Sequence, residues 1–152
     1  MKKTFTLVVF SLICAGVHAQ ETMQQTMEKR AREMHRVICL SDKEQWAKFI
    51  KENYTQTLID KPMKSQVTKS DDSGATSEKQ EIPSNLDGKV NMFQLLHTDF
   101  GDSKIASVKS TGEKLEMALT GAALTGTITL KFTTAKPYLI DGLGIQIEGG
   151  HQ

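Results

Sequence analysis

The chain has 152 residues, 38% hydrophobic and 24% charged, which is enough for one domain with its own core and too few for two. Lys and Arg number 19 against 18 Asp and Glu, a balance with no electrostatic footprint for nucleic acid or an anionic membrane. Two cysteines, Cys14 and Cys39, cannot frame a disulfide-rich scaffold.

The chain opens with "MKKTFTLVVFSLICAGVHA", residues 1–19: a basic start at Lys2 and Lys3, an apolar run from Phe5 to Ala15, and small residues at Val17 and Ala19. That three-part plan reads as a secretory signal cleaved after Ala19. The run falls well short of the ~20 apolar residues that a membrane-spanning helix needs, so no anchor is expected after cleavage. The expected location is the periplasm or the exterior of a bacterium. "SLIC" places bulky Ile13 where a lipid-attachment signal wants a small residue, so Cys14 belongs to the discarded segment. Residues 20–152 then keep only Cys39, which reads as a small buried hydrophobe. Loss of Lys2 and Lys3 leaves 17 basic residues against 18 acidic ones, a formal charge of −1.

Met23, Met27, Ala31, Met34 and Ile38 recur at steps of four, four, three and four, which lays one apolar stripe along a helix. The basic residues of "EKRAREMHR", 28–36, are interleaved with Glu28 and Glu33 and read as its solvated face. "SDKE", 41–44, is a capping box with Ser41 as N-cap, and Trp46, Phe49, Ile50, Tyr54, Thr57 and Leu58 keep helical spacing until Pro62 ends the run. Residues 64–85 are rich in Lys, Ser, Thr, Asp and Glu and nearly empty of large apolar side chains, so a flexible surface insertion is expected. A third helix fits "KVNMFQLLHTDFG", with Val90, Phe93, Leu96 and Phe100 on one face and Gly101 closing it in a left-handed cap.

Beyond Gly101 the period becomes two. Ile105 and Val108, then Leu115, Met117 and Leu119, then Ile128, Leu130 and Phe132, then Leu143, Ile145 and Ile147 mark four strands bounded by Gly, Pro or polar turn residues. Helices followed by neighbouring strands imply an α+β domain over 20–152, with N-terminal helices packed on a curved four-stranded antiparallel sheet.

The helix end "FQLLHTDFG", with Leu96, His97, Phe100 and Gly101, and the closing strand pair broken by "KPYLIDGLGI", 136–145, resemble the small domain ahead of the catalytic domain in exported bacterial serine hydrolases of the β-lactamase type. That domain is similar to the nuclear transport factor 2-like (cystatin-like) group, a cone of curved sheet wrapped on helices, and the similarity covers most of 41–148. No Ser-x-x-Lys occurs in residues 20–152, so the nucleophile and base of that hydrolase class are missing. The resemblance implies the accessory module without the enzyme, and a protein partner such as a separately encoded hydrolase. No cystatin-type Gln-x-Val-x-Gly hairpin is present either.

A curved sheet over amphipathic helices can enclose a concave apolar site, and Trp46, Phe49, Phe93 and Tyr138 are the aromatics expected to line one for a small apolar ligand. Three histidines remain after residue 20. His35, His97 and His151 lack ligand spacing, apart from Asp99 beside His97, so no metal is expected. His97 is the best acid/base candidate for the alternative reading, a small cavity enzyme of isomerase or hydrolase type, with Asp141 second because "DG" reads first as a turn or bulge. His97 and Asp99 point about 200° apart on a helix, and a helix-end histidine commonly contacts the last carbonyls. His35 stands one turn before Cys39, a spacing that can lower a thiol's pKa, although such neighbours are usually packing. "NYT", 53–55, matches a glycosylation sequon inside an expected helix. No cofactor is expected: Gly142-x-Gly144 is followed by Ile147 where a dinucleotide fingerprint needs its third glycine. The expectation is an exported, non-catalytic binding or accessory module.

Overall fold

Thr22 starts the first helix by exchange with Gln25. Its hydroxyl accepts the Gln25 amide at 3.2 Å, and the Gln25 side chain accepts the Thr22 amide at 2.9 Å, a capping box that satisfies donors every helix N-terminus leaves unpaired. The computed structural model describes residues 21–71, 74–122 and 124–148; the expected export signal, Cys14 and His151 lie outside them. Helix α1, Met23–Ile38, buries Met27, Ala31, Met34, Val37 and Ile38, the expected stripe with Val37 added and Met23 only half-buried at its start.

Helix α2, Lys43–Asn53, is capped by Asp42 rather than Ser41: Asp42 Oδ1 accepts from the amides of Glu44 at 2.9 Å and Gln45 at 3.2 Å. A carboxylate is the better acceptor at the positive end of the helix dipole, so the cap moves by one residue. The helix also stops before Pro62. Tyr54 is extended, bridges Ile140 in parallel, and is followed by Thr55, whose amide donates to Ile140 O at 2.9 Å and whose hydroxyl caps the short α3, Gln56–Asp60. Pairing with the sheet here outweighs local helical propensity.

Residues 64–85 were expected as a loop. Instead β1, Met63–Asp71, and β2, Gly74–Ile82, pair antiparallel from Met63↔Ile82 to Asp71↔Gly74, and β2 lies against α4. Polar composition excludes an element that fills the core. It does not exclude a ribbon whose main-chain donors and acceptors satisfy one another.

Helix α4, Leu86–Phe100, starts at an Asn85 cap, whose Oδ1 accepts the Gly88 amide at 2.7 Å. At its end Gly101 is right-handed (φ −63, ψ −24), not in the expected left-handed cap. Glycine is needed there for space, since a Cβ would lie 2.5 Å from His97 O and 2.8 Å from His97 Nδ1.

The four expected strands form one antiparallel sheet in the order β3 (Lys104–Thr111), β4 (Lys114–Thr120), β5 (Thr125–Phe132), β6 (Ile140–Glu148). The fold is therefore α+β, with the helices on one face of a curled, unclosed sheet. Leu115, Met117 and Leu119 face the helices together with their β5 partners Leu130, Ile128 and Gly126. Register puts Leu143, Ile145 and Ile147 of β6 on this same face, opposite Leu130, Ile128 and Gly126. Coverage ends there: Ile145 is 37% and Ile147 42% exposed.

Gly126 marks the tightest contact between helix and sheet. A Cβ there would meet Phe100 Cζ and Gln146 O, each at 2.7 Å. Gly126→Ala is expected to cost about 1–3 kcal/mol through overpacking, read as a lower urea midpoint at unchanged slope.

Candidate functional site

The chemistry-bearing side chains gather around the C-terminal end of α1. A helix leaves its last four carbonyls without intrahelical donors, and here other elements supply them. Trp46 Nε1, on α2, donates to Val37 O at 2.6 Å. His97 Nδ1, on α4, lies 2.8 Å from Ile38 O. The His97 and Trp46 rings stand 5.8 Å apart at 44°, and Gly101 leaves room for the imidazole.

These contacts decide what His97 can do. A carbonyl oxygen only accepts, so Nδ1 carries the hydrogen and is held by the main chain of α1. The second acid/base candidate is elsewhere: Asp141 is the bulged residue of β6, where the register shifts opposite Lys131 and Phe132, and its Oδ1 accepts from Thr55 Oγ1 at 2.8 Å. Among the described residues no hydrogen bond joins the two. Asp99 carries a pKa raised by burial and has no bond to His97.

His35 reaches in the other direction, to the turn between α4 and β3. Its Nε2 lies 3.1 Å from Ser103 O, 3.2 Å from Ser103 Oγ and 3.6 Å from Cys39 Sγ. The Ser103 hydroxyl already donates to Phe100 O at 2.7 Å, so both serine oxygens present lone pairs to Nε2. The hydrogen must sit on that nitrogen, and it cannot take a proton from Cys39. Burial, and secondarily the charge of Asp102, push the Cys39 thiol up, opposite to the lowering that the His35 spacing allows. A half-buried, protonated thiol beside a donating imidazole is not an activated nucleophile.

The four aromatic candidates divide. Trp46, Phe49 and Phe93 are buried, with the Phe49 and Phe93 ring centres 5.9 Å apart, and they pack against one another as core. Tyr138 is only half-buried and sits at positive φ (55°) after Pro137 in the β5–β6 connection. One surface furrow runs along α2, lined by Glu44, Ala47, Lys48, Lys51 and Glu52, and another lies between α1 and α2 and touches Phe49. Neither reaches Trp46, Phe93, Tyr138 or His97.

Three polar groups escaped the sequence reading. Lys89 is fully buried, its Nζ donating to Lys61 O at 2.5 Å, and burial lowers its pKa against a partial offset from Asp60. Lys89 lies four residues before Phe93 and so shares the apolar stripe, a legible signal. Arg30 ties α1 to Asn53 and, at 2.9 Å, to Pro137 O. The Tyr54 ring packs beside Phe49 and Phe93, its hydroxyl is buried with no partner among the described residues, and burial pushes its phenol up.

No family model, curated protein or solved structure matches the chain.

Two outcomes follow from the histidine geometry. His97→Ala should cost about 1–3 kcal/mol by leaving Ile38 O without its donor. His97→Asn, whose amide can replace Nδ1–H, should recover most of the loss in the same denaturation experiment. Burial holds His35 below its ordinary pKa, partly offset by the Ser103 bond. The unfolded chain therefore binds this proton more readily, and stability is full above about pH 6.5 and falls as pH drops toward the lower folded value. His35→Gln, which keeps a donor for Ser103, should lessen that acid sensitivity in denaturation midpoints measured across the window.

Proposed function

We propose that this chain is an exported, non-catalytic module that acts by docking onto another polypeptide. The observation that carries the reading is the row Leu143, Ile145 and Ile147: it continues the core face of the sheet, yet Ile145 and Ile147 extend beyond the cover of the helices. An edge strand with an uncovered apolar row is suited to another chain. The half-buried histidines, by contrast, are committed to main-chain carbonyls, which favours scaffolding over acid/base work. Trp46, Phe49 and Phe93 are filled core, which favours docking over the small-ligand reading. A separately encoded exported hydrolase, the partner that the resemblance implies, is compatible with this account.

Native mass spectrometry of the protein recovered from the exported fraction tests the reading, together with Tyr54→Phe. Polypeptide complexes or bare chain are expected, with no small molecule bound. Tyr54→Phe should be neutral or stabilising, since an unpaired buried hydroxyl costs about 1–3 kcal/mol. A bound small molecule that Tyr54→Phe releases would overturn the docking account in favour of an interior ligand.

A further inference from the structure

The two edges of the sheet are built differently. β3 carries Lys104, Lys109 and a register break between Ile105 and Ser107, the charges and irregularity with which sheets discourage strand addition. β6 carries no lysine, three alternating apolar residues and two glycines. Its first two positions are taken: Ile140 bridges Tyr54 and accepts the Thr55 amide, and Asp141 bulges and holds the Thr55 hydroxyl. Among the described residues the edge left unpaired runs from Gly142 to Glu148, and its midpoint is Ile145.

We propose that β6 pairs antiparallel with β6 of a second copy of this chain, about a two-fold axis through Ile145, joining the two four-stranded sheets into one. The inference rests on the docking reading and names the occupant of this edge. The strand itself selects the register. A two-fold between residues would set Leu143 against Gln146, one from each face, which the pleat forbids. Centring on Gly144 needs Ile140 opposite Glu148, but Tyr54 already occupies Ile140. Centring on Gln146 pairs only Gly144 to Glu148 within the described strand, five positions against the seven that centring on Ile145 pairs.

Centred on Ile145, Gly142 faces Glu148, Leu143 faces Ile147, Gly144 faces Gln146, and Ile145 faces its own copy. The apolar rows of the two copies merge and cover the exposed Ile145 and Ile147. Gly144 takes the longer Gln146 opposite. The interface is isologous, as a closed two-fold dimer requires.

Single cysteines test the register in the full-length chain carrying Cys14→Ser and Cys39→Ser. Residues directly opposite across an antiparallel pair have Cα atoms about 4.5–5.5 Å apart, within disulfide reach. Under mild oxidation Ile145→Cys is expected to give a covalent dimer. Ile147→Cys, whose neighbour is Leu143, should give several-fold less, and the double variant Leu143→Cys/Ile147→Cys should restore cross-linking. In sedimentation the unaltered chain should be a dimer, and Ile145→Lys, which opposes two ammonium groups, a monomer with unchanged far-ultraviolet circular dichroism. A monomeric unaltered chain, or equal cross-linking by Ile145→Cys and Ile147→Cys, overturns the second-copy proposal. The docking reading itself falls only if native mass spectrometry finds a small molecule in place of a polypeptide.

Discussion

The end of α1 is where the rest of the domain is fastened. Its terminal carbonyls need donors from outside the helix, and they receive Trp46 Nε1 from α2 and His97 Nδ1 from α4. One turn earlier, His35 holds Ser103 between α4 and β3. Two helices and the entry to the sheet are therefore registered against one helix terminus. Each such bond contributes only about 0.5–1.5 kcal/mol net; Val37 O also accepts the Leu40 amide at 3.1 Å, whereas His97 is the donor that Ile38 O receives from another helix. The choice of residues follows: an aromatic N–H and an imidazole N–H can each fill apolar space and donate at the tip. Gly101 belongs to the same arrangement, because any side chain there would strike the His97 ring and its carbonyl.

Much of this architecture was legible in the sequence. The stripe from Met27 to Ile38 marked α1, and alternation from Leu115 onward marked the central strands, because burial on one face imposes a period on composition. Asp141 read as a turn or bulge and is the bulge of β6. What local pattern could not show was competition from distant partners. Tyr54 and Thr55 leave the helical pattern because Ile140, far along the chain, offers pairing. Residues 63–71 pair with 74–82 through the main chain, which hydrophobic periodicity does not register. His97 was legible as a helix-end histidine. That its acceptor belongs to the end of another helix, Ile38 O, was not, since nothing in the residues around either one encodes the meeting. Lys89 is different, because its place on the apolar face of α4 was readable and marked a buried amine.

The same fastening bears on function. His97 and His35, which sequence alone offers as chemistry, are engaged in holding the fold, and three of the four aromatics offered as a pocket, Trp46, Phe49 and Phe93, pack as its core. The unspent surface lies at the other side of the sheet. There β6 has an apolar row, two glycines and no lysine, and its bulge lies at its start, at Asp141, while β3 has two lysines and a register break between Ile105 and Ser107. Proteins manage sheet edges explicitly, so one guarded edge and one open edge in the same sheet point to use of the open one.

His97 and His35 tie α1, α4 and the entry to the sheet together through main-chain carbonyls, and their tautomers report these ties directly. Long-range nitrogen–proton correlation spectra of the neutral imidazoles should show the His97 hydrogen fixed on Nδ1 and the His35 hydrogen fixed on Nε2, as their carbonyl partners demand. A His97 ring that averages between tautomers, or carries its hydrogen on Nε2, would break the tie to Ile38 and contradict the account.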